Sequence, residues 1–205
     1  MKKKQNQFEV KNLILRESGM PDKEIWEKFF DVNDIFEKFE LTNRNDPGAD
    51  IACGFGTFTI PLALLNNNKI YAVDINNEFL GLLEKNAEEN NLDTIKIVNA
   101  DITDPNFYLP EKVGFILLFN ILHCENPDSL VTNLSKNLTK DGKIYVIHWR
   151  SDIETPRGPP LEIRPTMDNI KELMSGLGFQ VEKQFKAISS YHYGISFQQR
   201  FRHRK

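Results

Sequence analysis

Residues 50–57 read Asp-Ile-Ala-Cys-Gly-Phe-Gly-Thr, and the rest of the chain can be placed around them. The stretch closes a short apolar run, and its small residues at positions 52, 54 and 56 let the backbone turn tightly and approach a ligand closely. The next apolar run, residues 69–73, leads into Asp74, about 20 residues further along the chain. That spacing is expected of a carboxylate that holds a ribose. The two strand ends therefore predict a site for a nucleoside-type cofactor.

Strand-like and helix-like segments alternate along the chain after residue 48. Apolar runs are typical of strands at 49–53, 69–73, 95–99, 115–119 and 143–148. Amphipathic stretches predict helices at 58–65, 77–90, 126–142 and 166–177, the third starting at Asn126-Pro127 and ending at Gly142. Such alternation indicates a mostly parallel sheet with helices on both faces.

The chain closes with two strand-like runs, 179–188 and 193–201, with no helix between them. Their connection near Ser189–His192 is too short for a parallel crossover, so the two strands should pair antiparallel. We therefore predict an α/β fold with a Rossmann-like, doubly wound sheet that is mostly parallel and has an antiparallel C-terminal strand.

The segment before the sheet predicts a separate helical unit. Its apolar residues recur at three- and four-residue steps: Trp26, Phe29, Phe30, Ile35, Phe36 and Phe39. A turn-forming cluster at 43–48 follows. We predict that residues 1–45 form a helical lid over the cofactor and residues 46–205 form the cofactor-binding domain. The alternative is that the opening segment simply packs on the outer face of the sheet.

Position 59 decides between two kinds of nucleoside cofactor. A dinucleotide site needs a third glycine there, but this chain has Thr59. With its acid at position 50 and small residues at 52, 54 and 56, the loop resembles that of class I S-adenosylmethionine-dependent methyltransferases. The resemblance covers residues 50–201 and implies a seven-stranded sheet of order 3-2-1-4-5-7-6. It also implies S-adenosylmethionine as cofactor, with S-adenosylhomocysteine as product.

The resemblance assigns roles to particular residues. Asp50 would anchor the methionine end of the cofactor, and Asp74 would hold the ribose hydroxyls. Asp101 and Ile102 would flank the adenine. The full set implied for the cofactor is Asp50, Ala52, Cys53, Gly54, Phe55, Gly56, Asp74, Ile75, Asp101, Ile102 and Asn120. Ala52 departs from the family's usual glycine, which is tolerable if its φ is negative.

Simpler roles remain open for several of these residues. Asp50 could be a solvated strand end, and Asp74 could cap the helix that begins near Asn76. Asp101 could cap a turn, since Asp104 follows it, and Cys53 could be packed beneath the loop.

The acceptor should lie beside the ends of the fourth and fifth strands. His123 follows the fourth strand, where the resemblance places the transferred methyl group, and is the candidate base or substrate contact. Residues 149–165 contain four prolines, which favour a formed wall over a flexible linker. The substrate-contact candidates are Trp26, Trp149, Arg157, Arg164 and Tyr191. The arginines either bind an anionic acceptor or pair with Asp152, Glu154 and Glu162.

Composition narrows the class of protein. The 205 residues are 40% hydrophobic and carry a formal net charge of −3, without the basic excess of a nucleic-acid binder. Two cysteines make neither a disulfide framework nor a zinc site, and no export signal or membrane span is visible. We expect a cytoplasmic methyltransferase that binds no metal, nucleic acid or membrane and acts on a small, anionic or polar metabolite. The alternatives are a non-catalytic binding or scaffold protein and a protein or RNA methyltransferase.

Overall fold

A computed structural model of the chain describes residues 28–200 and shows a seven-stranded sheet flanked by helices. The strands are β1 (Gly48–Ile51), β2 (Ile70–Asp74), β3 (Ile95–Asn99), β4 (Val113–Phe119), β5 (Leu138–Trp149), β6 (Phe179–Phe185) and β7 (His192–Gln199). The helices are α1 (Val32–Phe39), α2 (Thr59–Leu65), α3 (Asn77–Glu89), α4 (Pro127–Ser135) and α5 (Met167–Gly176), and a short 3₁₀ turn spans Leu161–Ile163.

The strand order is β3-β2-β1-β4-β5-β7-β6, which confirms the predicted topology. Strand β1 lies parallel to both β2 and β4, with Asp50 opposite Ala72 on one side and Leu117 on the other. Strand β7 runs antiparallel between β5 and β6. The strand order reverses between β1 and β4, and such a reversal opens a crevice at the carboxyl ends of the strands.

Apolar side chains on both faces of the sheet build two cores. One contains Leu130 and Leu134 of α4 and Met174 of α5. The other contains Phe36 of α1 and Leu83 of α3. Helix α1 therefore packs on a face of the sheet. Residues 1–27 lie outside the described residues, so the lid remains a prediction. None of the helices within 28–200 has the length and apolar character to span a bilayer.

The predicted helix over 126–142 is too long. Helix α4 ends at Ser135, and both Leu138 and Gly142 belong to β5. Asn137 explains the early end, because its carbonyl accepts from the amide of Val113 at 2.8 Å and its side-chain oxygen accepts from the amide of Leu109 at 2.8 Å. These bonds tie the chain to the sheet one residue before it pairs with β4.

The first strand of the closing hairpin ends earlier than predicted, at Phe185, and the second starts one residue earlier than predicted. His192 was expected in the connecting turn, but it opens β7 and is completely buried. Its partner across the antiparallel pair is Trp149, so β5 extends one residue beyond its predicted end. Both changes bring ring side chains together at the carboxyl end of β5.

Candidate active site

The loop after β1 has left-handed backbone conformations at its small residues. The φ angles are 57° at Ala52, 55° at Gly54 and 89° at Gly56. The condition under which alanine is tolerable at position 52, a negative φ, is therefore not met. A non-glycine residue held in this region carries strain of about 1–2 kcal/mol. Because such strain persists only where the surroundings fix it, the loop is a built feature of the fold.

Backbone hydrogen bonds fix the loop against β2. The amide of Cys53 donates to the carbonyl of Val73 at 3.1 Å, and the amide of Gly56 donates to the carbonyl of Cys53 at 3.0 Å. A Cβ at Gly56 would lie 2.4 Å from the Cδ1 atom of Leu83 on α3. Only glycine therefore fits there without movement of that side chain.

Asp74 links this loop to the start of α3. Its Oδ2 accepts from the amide of Gly54 and its Oδ1 accepts from the amide of Asn76, both at 2.8 Å. The helix cap is Asn76, whose side chain accepts from the amides of Glu78 and Phe79. Each carboxylate oxygen of Asp74 still has a second lone pair, which suits two vicinal ribose hydroxyls.

Asp50 is buried in the strand beneath the loop, with 2% of its surface exposed. Its Oδ2 accepts from the hydroxyl of Thr59 at 2.7 Å. Burial, opposed by the Thr59 hydrogen bond and reinforced by the charge of Asp74, raises the pKa of Asp50 to about 7. The sequence analysis used Thr59 only to exclude a dinucleotide site, which needs glycine at that position, and did not predict this contact. The sequence signal for this contact is an acid followed nine positions later by a hydroxyl residue, with a strand end, a loop and a helix start between them.

Apolar and polar groups meet at the ends of β2 and β3, where the adenine is expected. Ile75 is 44% exposed, so it offers an apolar surface at the end of β2. The side-chain amide of Asn99 donates to the Ile75 carbonyl at 3.1 Å. Ile102, the neighbour of Asp101 in sequence, is half-buried. Asp101 caps its own turn by accepting from the amide and hydroxyl of Thr103, as the alternative interpretation proposed.

Two loop residues contribute packing. Cys53 is buried, and burial raises the pKa of its thiol well above the usual value, so the thiol stays protonated. Phe55 is also buried and meets the ring of Phe79 edge-on at 6.0 Å. Their backbones, not their side chains, form the surface of the loop.

Asn120 marks the end of β4. Its φ is 59°, and its backbone amide donates to the carbonyl of Ile147 at 2.7 Å. Neither polar atom of its side chain has a hydrogen-bond partner among the described residues, although both are buried. Unpaired buried polar atoms of this kind are rare in folded proteins, and a catalytic or binding role is one explanation of them. They lie where β4 ends beside the cofactor loop of β1.

His123 follows Asn120 and is half-buried. Burial lowers the pKa of its imidazole, so the ring is neutral at pH 7. Its Nδ1 lies 3.3 Å from Nε2 of His148 on β5. No sequence pattern pairs these two histidines, which are 25 residues apart.

The segment between β5 and α5 is a formed loop around Arg164. The Arg164 guanidinium donates to the carbonyls of Pro159 and Arg150 at 2.7 and 2.9 Å, and to the hydroxyl of Thr155 at 2.8 Å. It is 8% exposed, so its guanidinium lies inside the loop. The alternative pairing with carboxylates fails for Arg164, because its partners are carbonyl and hydroxyl oxygens.

The other arginines of this loop and the aromatic residues predicted to contact the methyl acceptor differ in exposure. Arg150 pairs with Asp152 through two hydrogen bonds of 3.0 and 2.8 Å. Arg157 is exposed on the same loop. Trp149 is buried, with Phe29 edge-on at 5.6 Å, and Tyr191 is half-buried against the ring of Phe29, also at 5.6 Å. Trp26 lies outside the described residues.

The sheet order, the loop of small residues after β1 and the acid after β2 are those that the resemblance to class I, S-adenosylmethionine-dependent methyltransferases implies. Residues 49–142 match the sequence model of a family described as methyltransferase domain. A SAM-dependent methyltransferase from Aquifex aeolicus is similar in structure, with a TM-score of 0.74 at 18% identity over 88% of this chain and 95% of that chain. These findings confirm the predicted class and fold.

The names of two further similar proteins refer to two different kinds of molecule, a porphyrin and RNA. Magnesium protoporphyrin IX methyltransferase from Synechocystis, solved with bound SAM, has a TM-score of 0.60 at 15% identity, covering 82% of this chain and 76% of that chain. An uncharacterized RNA methyltransferase from Prochlorococcus marinus is 36% identical over 80 residues, which are 39% of this chain and 18% of that protein. The matched part of the chain spans less than a fifth of the length of the curated relatives.

Proposed function

We propose that this protein transfers a methyl group from S-adenosylmethionine to a small polar metabolite. The observation that carries the proposal is the strained loop at 52–56, held against the carboxylate of Asp74 and lying beside the end of β4. Strain held in place at a strand end is typical of a ligand-binding site. The side-chain amide of Asn120, at the neighbouring strand end, has no hydrogen-bond partner among residues 28–200 and supports the same site.

The residues present fit this cofactor from end to end. Asp74 offers lone pairs to the ribose hydroxyls, and Ile75 offers an exposed apolar surface to the adenine. Asp50, once ionised, favours the cationic ammonium of the methionine end. Gly54 and Gly56 have no side chain, so the loop backbone can contact the ligand. When bound, S-adenosylmethionine supplies a methyl group that its sulfonium already makes electrophilic.

The protein's chemical task is then alignment and proton removal. His123 is neutral and lies past β4, on the side where the methyl group is expected. Its free ring nitrogen accepts the proton of the acceptor's N–H or O–H as that heteroatom attacks the methyl carbon. S-adenosylmethionine would supply the methyl group and leave as S-adenosylhomocysteine, with the electron pair of the broken carbon–sulfur bond on sulfur.

The acceptor side favours a small molecule. The loop at 150–165 is fixed from within by Arg164, and it follows the carboxyl end of β5, so we propose that it forms a rigid wall of the acceptor site. Arg157 is exposed on this loop and is a candidate contact for an anionic group. The net charge of −3 gives no electrostatic attraction to RNA. The short match to an RNA methyltransferase makes RNA the second acceptor class to test.

Residues 28–31 support the lid proposed for residues 1–45. Phe29 contacts Trp149 and Tyr191, and Phe30 meets the ring of His192 at 4.5 Å. These contacts lie where β5 ends and β7 begins, at the same edge of the sheet as the cofactor loop. A segment that arrives there can exclude water from the methyl group.

The proposal is tested by incubating the protein with methyl-labelled S-adenosylmethionine and cell extract separated into small-molecule, RNA and protein fractions. We expect label in the small-molecule fraction with the wild type and, at subsaturating S-adenosylmethionine, about tenfold less with Asp74→Ala. Label that enters RNA or protein instead would overturn the acceptor class. If S-adenosylmethionine binds but no fraction is labelled, the non-catalytic alternative holds.

A further inference from the structure

Two imidazoles from neighbouring strands meet beside the proposed acceptor site. His123 follows β4, and His148 is the second-last residue of β5. The strands pair in parallel up to Phe119 opposite Ile147, so the register of the sheet brings the two rings together. The Nδ1 atom of His123 lies 3.3 Å from the Nε2 atom of His148. One of these nitrogens must carry a proton for the contact to be a hydrogen bond.

The surroundings of His148 decide which nitrogen carries it. Its other nitrogen, Nδ1, lies 3.4 Å from the carbonyl oxygen of Trp149, which can only accept a hydrogen bond. The side chain is completely buried, and burial favours the neutral ring. A neutral ring that donates from Nδ1 has its lone pair on Nε2. His148 is therefore the acceptor, and His123 must donate from Nδ1.

The groups that face His148 keep it neutral. Burial, then the neighbouring His123 and the guanidinium of Arg164, lower the pKa of His148 to about 3, against the contact with the Trp149 carbonyl. From β7, burial lowers the pKa of His192 to about 2, so this ring is also uncharged. Tyr193 stacks on His148 with ring centres 6.2 Å apart, and its hydroxyl donates to the carbonyl of Pro165.

We propose that His148 is a positioning residue that sets the tautomer of His123. By accepting the Nδ1 proton of His123, it leaves the lone pair of His123 on Nε2, available to the methyl acceptor. This inference rests on the proposed function, in which His123 receives the acceptor's proton. When Nε2 takes up that proton, the Nδ1 hydrogen bond to His148 is retained and strengthened by the new charge. The pair therefore needs no rearrangement during the reaction.

Three variants separate positioning from packing. His148→Gln keeps an acceptor oxygen near the position of Nε2, and His148→Leu fills the site without one. His192→Leu removes a neighbouring buried histidine whose Nδ1 contacts Ser189 and not His123. The first readout is the protonated nitrogen of His123, assigned by ¹⁵N NMR of histidine-labelled protein. The second is the rate of methyl transfer into the labelled small-molecule fraction, and the third is the affinity for S-adenosylhomocysteine.

We expect the His123 proton on Nδ1 in the wild type, His148→Gln and His192→Leu, and on Nε2 or on both nitrogens in His148→Leu. Transfer should fall about tenfold or more in His148→Leu, with the pH profile shifted, and recover in His148→Gln. The affinity for S-adenosylhomocysteine should stay within about twofold, as expected of a residue that does not touch the cofactor. A wild-type spectrum with the proton on Nε2 overturns the inference, even if no variant folds. If no fraction is labelled, the proposed function fails while the spectrum still decides this inference.

Discussion

Replacing Asp50 by asparagine should stabilise the free protein and weaken cofactor binding. The carboxyl group is buried and its pKa rises from 3.8 to about 7, so the folded state resists its ionisation. A shift of about three units corresponds to about 4 kcal/mol, which is an upper bound. Because the unfolded chain ionises this group from about pH 4, the penalty grows between about pH 4 and 7 and is constant above about pH 7. The asparagine side chain does not ionise, and its oxygen can still accept from Thr59.

The assay is urea unfolding of both proteins at several pH values from about 3 to about 8.5, which brackets the two pKa values. The difference in free energy of unfolding should be small at the acid end, increase with pH in favour of Asp50→Asn, and level off at the alkaline end. Thr59→Val is the matched control, because removing the donor should raise the pKa of Asp50 further. A difference that does not change with pH would refute a buried carboxyl with a raised pKa.

The same variant links stability to function. In the free wild type, Asp50 is about half protonated near pH 7. If its anion faces the ammonium of the cofactor, binding must release a proton in this range. The affinity of the wild type for S-adenosylhomocysteine should rise with pH up to about 8, and that of Asp50→Asn should be lower and flatter. Isothermal titration in buffers of different ionisation enthalpy measures the released proton directly.

Three further predictions concern the loops around the site. Ala52→Gly should raise the free energy of unfolding by about 0.5–1 kcal/mol in urea, because relief of left-handed strain exceeds the added freedom of the unfolded chain; a loss would contradict the φ of 57°. Asp74→Ala should weaken S-adenosylhomocysteine binding by about tenfold or more in isothermal titration, as charge-assisted bonds to the ribose are lost; unchanged affinity would disprove its role. Arg164→Met should speed trypsin cleavage after Arg157, measured by mass spectrometry, because the loop loses its internal hydrogen-bond donors. Lys143→Met is the control variant, and equal cleavage rates in the two variants would contradict the role of Arg164.

Features that depend on local patterns could be predicted from the sequence. Alternating apolar runs and amphipathic stretches predicted the doubly wound sheet, and the closing pair of strands was recognised by its short connection. The loop at 50–57 and Asp74 were found because both stand at strand ends with a set spacing. Strand ends on one side of a parallel sheet necessarily converge.

Features that depend on contacts distant in sequence were missed or misplaced. The end of α4 depends on Asn137 bonding to Leu109, 28 residues away. The hydrogen bonds of Arg164 were missed, because a single-sequence pattern does not show that nearby carbonyls surround it. The pairing of His123 with His148 depends on the register between β4 and β5. The positive φ of Ala52 could not be predicted, because alanine rarely adopts a positive φ.

The central claim is that the cofactor lies at the ends of β1, β2 and β4 with its reactive sulfur toward His123. A crystal structure with S-adenosylhomocysteine tests this most directly. We predict that the ribose hydroxyls bond to Asp74, that the adenine lies against Ile75, and that the sulfur lies on the side of Asn120 and His123. Electron density for the ligand at any other edge of the sheet, or a ribose without contact to Asp74, would contradict the claim.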